Sequence, residues 1–173
     1  MRKIFTEKWS SVIWLVVRVW LGYQWLEAGL HKFSDPKWMV TGEALKGFLS
    51  KAAGLIPNVP AGAKYDWYKA FTASLVNSGA YTWFAKLVVF GEILTGIALI
   101  LGVVTTFAAV VGAFMNLNFM LAGSASSNPV MYTLEILLIL AGINAGLIGL
   151  DYYVVPFLRK LFSGAYRTVK EQA

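Results

Sequence analysis

The amino-acid sequence predicts an all-α polytopic membrane protein, a bundle of four transmembrane helices with a long amphipathic loop between the first two. Of its 173 residues, 58% are hydrophobic and only 14% are charged, which sets the chain apart from ordinary soluble domains. Four apolar segments are each near the length that crosses a bilayer, and backbone in lipid has to be helical. We therefore expect one membrane domain over residues 1–173.

The first apolar segment follows Arg2, Lys3 and Lys8, as the core of a signal peptide would. It is too long for such a core and has no obvious A-x-A cleavage site, so we interpret it as a retained span. Pro129 suits the first turn of the fourth segment, where its missing N–H costs nothing. The four spans are predicted at about residues 11–31, 82–103, 105–121 and 129–150.

The loop over residues 33–80 contains two amphipathic segments. Thr41 is a candidate cap for the first of these helices, with Glu43 in its first turn. Trp67, Phe71 and Leu75 share one face of the second, and both helices would lie flat at the membrane interface or cover the bundle. The apolar face of the first is predicted from helical spacing and comprises Leu45, Phe48, Leu49, Ala52 and Ile56.

The residue inventory excludes several kinds of site. Cysteine is absent and His31 is the single histidine, so thiolate, iron–sulfur, bis-histidine haem and multi-histidine zinc sites are excluded. No P-loop or dinucleotide-binding glycine motif is present. We predict no metal, haem or flavin site. The net charge of +6 fits contact with a membrane surface better than contact with nucleic acid.

The orientation in the membrane depends on the basic residues, which divide evenly between the termini and the loop. The terminal charges are denser, so we predict that both termini are cytoplasmic. The terminal set is Arg2, Lys3, Lys8, Arg159, Lys160, Arg167 and Lys170, and the loop set is Lys32, Lys37, Lys46, Lys51, Lys64, Lys69 and Lys86.

Ionisable side chains within the predicted spans are the candidate functional residues. A charge at the bilayer centre costs roughly 2.5–3.5 kcal/mol, so these groups should meet in the interior. Depth along the helices lets Glu27, His31, Glu92 and Glu135 converge below the long loop, together with Asn116 or Asn118. We predict Glu27 and His31 as a proton relay, with Glu92 and Glu135 binding or relaying within a cavity.

Arg18 lies in the other half of the first span, on a face with Gly22 and Gly29 that allows close helix approach. Its predicted partner is Glu92, and Asp151 competes for it. A structural alternative exists for each of these groups. A buried pair of Arg18 with an acidic residue could only set the helix register, and Asn116 and Asn118 could only form hydrogen bonds between helices. Lys32 and Lys86 could only extend to the membrane interface. The candidate substrate-binding residues are Arg18, Lys32, Lys86, Asn116, Asn118, Ser124 and Asn128.

Three stretches resemble the DoxX/DoxD family of small prokaryotic membrane proteins. They are RVWLGYQWLEAGLHKF at 18–33, GEILTGIALILGVVT at 91–105 and FMNLNFMLAGSASSNPVMYTLEILLILAG at 114–142. The resemblance implies a four-helix bundle in the prokaryotic plasma membrane. It also implies a relation to the small, quinone-reactive membrane subunit of thiosulfate:quinone oxidoreductase.

The leading hypothesis is a membrane oxidoreductase, or its quinone-reactive subunit, that passes electrons from a small reductant to membrane quinone. The family resemblance suggests thiosulfate as the reductant, and quinone would be a substrate or a bound cofactor. Expected partners are the lipid bilayer, a soluble or membrane subunit, and a second copy of the chain through its glycine-rich faces. The alternatives are a non-enzymatic scaffold that docks a soluble redox partner, and a small proton-coupled transporter.

Overall fold

The computed structural model describes residues 4–5 and 7–160 of the chain. No strand occurs among these residues, which confirms the all-α prediction. The helices are α1 (Ser11–Phe33), α2 (Pro36–Met39), α3 (Glu43–Ala53), α4 (Asp66–Asn77), α5 (Tyr81–Leu101), α6 (Thr105–Leu121), α7 (Asn128–Ala141) and α8 (Ile143–Gly146). A 3-10 turn over Lys8–Ser10 precedes them, and residues 151–160 are helical again.

The closest helix pair is α1 with α5, which cross at glycines. A Cβ built on Gly96 would lie 2.6 Å from the backbone nitrogen of Leu26 and 2.8 Å from the carbonyl oxygen of Gly22. A Cβ on Gly29 would similarly lie 2.7 Å from a side-chain carbon of Ile93. The glycine face predicted for the first span therefore packs against a neighbouring helix, as small residues in membrane bundles do.

The bundle core lies where α1 and α5 meet α6 and α7. Leu21, Leu99 and Leu138 are fully buried there and belong to one apolar cluster with Trp14 and Trp25. This core fixes the relative positions of the four longest apolar helices, which in turn carry the polar side chains of the candidate site.

The helices that correspond to the four predicted spans differ in length and in apolar composition. Among the helices of the described residues, α5 is both long and apolar enough to cross a membrane by length and composition. Helix α1 has 23 residues but includes Arg18, Glu27 and Lys32. Helices α6 and α7 are apolar but shorter, and the 14 residues of α7 rise only about 21 Å.

The sequence predicted a fourth span over residues 129–150. The structure does not form one continuous helix over this range. Helix α7 ends at Ala141 because Gly142 has φ +54° and ψ −122°, a conformation that only glycine adopts readily. Helix α8 follows, and the chain then turns before the helical residues 151–160. Asp151 is buried where this turn meets the start of α6, and its carboxylate accepts hydrogen bonds from Val104 and Thr105 at 2.6 and 2.9 Å.

Helices α2, α3 and α4 cover one end of the bundle. Helix α3 buries Leu45, Leu49 and Ala52 of the predicted apolar face, whereas Phe48 is half-buried and Ile56 lies beyond the end of the helix at Ala53. Its N-cap is Gly42 with φ +72° rather than Thr41, whose hydroxyl instead accepts a 3.3 Å hydrogen bond from the backbone N–H of Glu43. The left-handed conformation at the cap explains the shift, since glycine adopts it without strain.

Of the predicted apolar face of helix α4, Leu75 packs against a buried cluster, and the neighbouring Tyr68 side of the helix faces the bundle. Tyr68 and Thr72 are buried, whereas Trp67 is 63% exposed and Phe71 is also exposed. The Tyr68 hydroxyl donates a 2.9 Å hydrogen bond to the carbonyl oxygen of Asn118 at the end of α6. This hydrogen bond ties the covering helices to the bundle.

The predicted orientation of the termini is not tested by these contacts. Arg2, Lys3, Arg167 and Lys170, which carry much of the terminal charge, lie outside the described residues.

Candidate functional site

A cavity of about 520 Å³ opens beneath the covering helices, between α1, α5, α6 and the start of α7. Its polar wall is formed on one side by Gln24, Glu27, His31, Lys32, Glu92 and Asn116. On the other side Ser124, Ser126, Ser127 and Asn128 line it from the connection between α6 and α7. The structure thus brings together many of the polar residues singled out in the sequence.

The remaining walls of the cavity are largely aromatic. Trp25 and Phe119 line it from the bundle, and Trp38 and Phe48 line it from α2 and α3. The rings of Trp25 and Phe119 lie 6.4 Å apart, and those of Phe48 and Phe119 lie 6.1 Å apart edge to face. A planar, mostly apolar ligand with a few polar atoms matches a wall of this kind.

Lys32 and Glu92 form an ion pair in the cavity wall. The Lys32 ammonium lies 2.8 Å from Oε1 and 2.7 Å from Oε2 of Glu92, and it also lies 5.4 Å from the centroid of the Trp38 ring. The carboxylate side chain is 1% exposed and the lysine side chain 20% exposed. The predicted pairing of Arg18 with Glu92 is therefore wrong, because Lys32 already occupies both oxygens.

Glu135 lies behind the cavity wall rather than in it. Its carboxylate is fully buried and accepts hydrogen bonds from Trp25 Nε1 at 2.7 Å and from Asn116 Nδ2 at 2.8 Å. Gly112 leaves the space that the carboxylate fills, since a Cβ there would lie 2.5 Å from Oε1. Two cavity-lining side chains thus connect Glu135 to the cavity.

Glu27 and His31 lie at the rim of the cavity, four residues apart on α1. Both side chains are exposed, and neither makes a side-chain hydrogen bond to any residue in the described part of the chain. Side chains four apart on a helix are neighbours, so a bound ligand could reach both. Their exposure also lets them exchange protons with water.

The connection between α6 and α7 is held in one shape by local contacts. Asn128 Nδ2 donates a 2.9 Å hydrogen bond to the carbonyl oxygen of Ser124. Ser126 has φ +39°, and Gly123 (φ +89°) packs directly against the backbone of Gly62 in the covering segment. These contacts set the position of the backbone from which Ser124, Ser126 and Ser127 line the cavity.

Three predicted substrate-binding residues lie elsewhere. Arg18 donates a 2.8 Å hydrogen bond to the carbonyl oxygen of Ile148, at the opposite end of the bundle. Asn118 bonds to Tyr68 and to the backbone of α6. Lys86 is exposed and does not line the cavity. Each of these side chains belongs to another part of the surface or to the framework of the bundle.

Sequence reasoning missed Trp25, Trp38 and Gln24 as cavity residues. Helical spacing puts Trp25 on the face of α1 that packs against a neighbouring helix, and it is indeed buried. The available signal was its indole N–H, which needs an acceptor when buried, and Glu135 supplies that acceptor. Within the ranges 4–5 and 7–160, no group of three or more acidic or histidine side chains is arranged to hold a metal ion.

Comparison with known proteins identifies a family. The DoxX family model matches residues 13–125, about two thirds of the chain, from α1 through α6 into the following connection. The match includes every cavity residue on α1, α5 and α6 but stops before Glu135. No curated protein and no solved structure matches the chain.

Proposed function

The chain belongs to the DoxX family of membrane proteins, and from this premise we propose that it is a quinone-reactive membrane oxidoreductase or the membrane subunit of one. In the proposed arrangement α1, α5, α6 and the α7–α8 segment cross the prokaryotic plasma membrane, with both termini in the cytoplasm. The cavity below the covering helices is the quinone site. A partner subunit or a docked reductant supplies the electrons.

The observation that carries this proposal is the combination of aromatic walls and polar groups in one cavity. Its volume of about 520 Å³ lies within the usual range of about 300–1,000 Å³ for small-molecule sites. Trp25, Trp38, Phe48 and Phe119 offer faces and edges for a planar ring. Side chains such as Gln24 and the serine hydroxyls can donate hydrogen bonds to quinone carbonyl oxygens.

Conversion of a quinone to a quinol takes up two electrons and two protons, one proton at each carbonyl oxygen. Glu27 and His31 are exposed at the cavity rim and would pass protons between water and the bound ring. The Lys32–Glu92 ion pair in the cavity wall would lie beside the quinone ring in a fixed orientation. The protein's contribution is therefore positioning and proton transfer.

The charges of the cavity favour a neutral ligand over a dianion. Lys32 directs its charge at both oxygens of Glu92, so the pair has no net charge, and Glu27 adds a carboxylate at the rim. Thiosulfate is a dianion and would gain little attraction there. We therefore assign the cavity to quinone, and place the thiosulfate-type reductant implied by the family outside it.

The proposal is tested on detergent-purified protein. Mass spectrometry should find copurified quinone, and decylubiquinone should quench tryptophan fluorescence saturably because Trp25 and Trp38 line the site. With thiosulfate or an added reductase as electron donor, Glu27→Gln should reduce quinone turnover while leaving the thermal transition unchanged. Glu43→Gln, an exposed carboxylate on α3 outside the cavity, is the matched control. Absence of both copurified quinone and saturable binding would refute the proposal.

A second candidate function rests on the outer face of α4. Trp67 is 63% exposed and Phe71 is also exposed, so this face could dock a soluble redox partner in a scaffold with no chemistry of its own. In that case Glu27→Gln would leave the activity of the assembled complex intact, whereas Trp67→Ser would abolish assembly. Under the proposed oxidoreductase function the first variant is the impaired one.

A further inference from the structure

Asn116 lines the cavity, and its side-chain amide contacts the buried carboxylate of Glu135 behind the cavity wall. Its side chain is completely buried, its Nδ2 donates to Glu135 Oε2 at 2.8 Å, and it forms part of the cavity wall. Its Oδ1 has no hydrogen-bond partner among the residues that the structure describes. A buried acceptor without a partner is uncommon in proteins and requires an explanation.

The orientation of the Asn116 amide follows from its neighbours. An ionised carboxylate has only acceptor atoms, and an indole has only a donor. In the structure Trp25 Nε1 donates to Oε1 of Glu135 and Asn116 Nδ2 donates to Oε2, which is the arrangement that an ionised carboxylate, an acceptor at both oxygens, requires. Since Nδ2 is bonded to Glu135, Oδ1 is the polar side-chain atom of Asn116 that is left without a partner, in a residue that lines the cavity.

We propose that Asn116 is a specificity-determining residue of the cavity, and that its Oδ1 accepts a hydrogen bond from a hydroxyl group of a bound quinol. This inference rests on the proposed quinone function and extends it to the redox state of the ligand. A quinol hydroxyl can donate a hydrogen bond to Asn116 Oδ1. A quinone carbonyl oxygen is itself an acceptor and cannot. The site therefore binds the reduced ring more tightly than the oxidised ring.

The preference has a measurable size. One hydrogen bond to an otherwise unpaired buried acceptor corresponds to a preference on the order of tenfold. A tenfold tighter binding of quinol raises the two-electron potential of the bound quinone by about 30 mV. The cavity would thus favour reduction of its ligand without any charged group touching the ring at this position.

The experiment compares anaerobic binding of decylubiquinone and decylubiquinol to purified protein by calorimetry. The natural sequence should bind the quinol about tenfold more tightly. Asn116→Leu has no acceptor, so the ratio of the two dissociation constants should fall to about one. A merely structural role for Asn116 would weaken both ligands equally and leave the ratio unchanged, which would overturn the inference.

Glu135→Gln provides a sharper second test, because it should reverse the preference. Trp25 can only donate, so the substituted amide would have to turn its oxygen to the indole and its NH₂ group to Asn116. Asn116 would then accept that bond through Oδ1 and present Nδ2 to the ligand. A quinone carbonyl would become the better partner, and the ratio should change to favour decylubiquinone.

Glu92→Gln is the matched control, since Glu92 is a buried carboxylate of the cavity wall that contacts Lys32. This variant can alter both affinities but should preserve the preference for quinol. If both rings bind the natural sequence and Glu135→Gln leaves their ratio unchanged, the inference fails and the proposed function stands. If neither ring binds the natural sequence, the proposed function fails and the inference fails with it.

Discussion

The Lys32–Glu92 ion pair predicts different losses of stability when one partner or the other is removed. Its two contacts of 2.7 and 2.8 Å occupy both carboxylate oxygens. The Glu92 side chain is 1% exposed and the Lys32 side chain 20% exposed. Removal of either partner leaves the other charge without compensation, but only the lysine has a flexible side chain that can turn toward water.

This asymmetry sets the expected magnitudes. Lys32→Met strands a buried carboxylate, so it should lower the free energy of unfolding by about 3–5 kcal/mol. Glu92→Gln keeps one acceptor for the ammonium, which can also move outward, so it should cost about 1–2 kcal/mol. The double variant Lys32→Met/Glu92→Leu replaces the pair with apolar groups and should recover most of the loss.

The assay is equilibrium unfolding of the purified variants in mixed micelles, with thermal midpoints as a second measurement. A loss of about 4 kcal/mol should lower the midpoint by roughly 8–16 °C in a chain of this size. Lys69→Met is the control, because Lys69 pairs with the exposed Asp66 at 2.9 Å and such surface pairs contribute little. Equal costs for the two single variants, or a double variant less stable than both, would refute the reasoning.

Four other substitutions test packing and hydrogen bonds. Gly96→Ala should lower the free energy of unfolding by about 1–3 kcal/mol, since the new Cβ would meet backbone atoms of α1 at 2.6 and 2.8 Å. In Gly47→Ala, where nothing lies within 4 Å, stability should rise by up to about 1 kcal/mol. Asp151→Ala removes two hydrogen bonds to backbone N–H groups at the start of α6 and should cost about 2–3 kcal/mol in the same assay. Tyr68→Phe removes the 2.9 Å bond to Asn118 and should cost about 1 kcal/mol. Burial raises the pKa of Tyr68 above its usual value of 10.0, so its contribution is complete below pH 10 and is lost as the pH rises further. The phenylalanine variant should lack that part of the alkaline loss of stability, as pH-dependent unfolding would show.

Apolar patterning was sufficient to locate the long helices but not the end of the fourth one. The predicted segment 105–121 has the same limits as α6, and the segment 82–103 differs from α5 by one or two residues. Gly142 lies inside an apolar run, and glycine is common within transmembrane helices. Its positive φ depends on how the chain turns back toward α6, and that turn is a tertiary contact with no local signal.

The side-chain contacts in the cavity could also be predicted only in part from the sequence. Depth along a helix placed Glu92 near the middle of its span and Lys32 at the end of α1, yet the two meet because a lysine side chain reaches more than one turn. Asn116 and Asn118 lie two residues apart, about 200° around the helix, so only one can face inward. The sequence restricted the choice to these two residues, and packing between α6 and α7 decided it.

The buried polar groups form two clusters with different roles, although every charge in a membrane segment is at first a candidate for function. Arg18 and Lys32 are 14 positions apart on α1, which separates their backbones by about 21 Å. Arg18 donates to the carbonyl oxygen of Ile148 and Asp151 accepts from backbone N–H groups, so these side chains hold the chain turns at one end.

At the other end the partners are side chains from different helices. Lys32 of α1 bonds to Glu92 of α5, and Trp25 of α1 and Asn116 of α6 bond to Glu135 of α7. Substitutions that break side-chain bonds to chain turns should change stability and leave ligand binding alone. Substitutions in the second cluster should change both, because the same bonds that join the helices also set which atoms line the cavity.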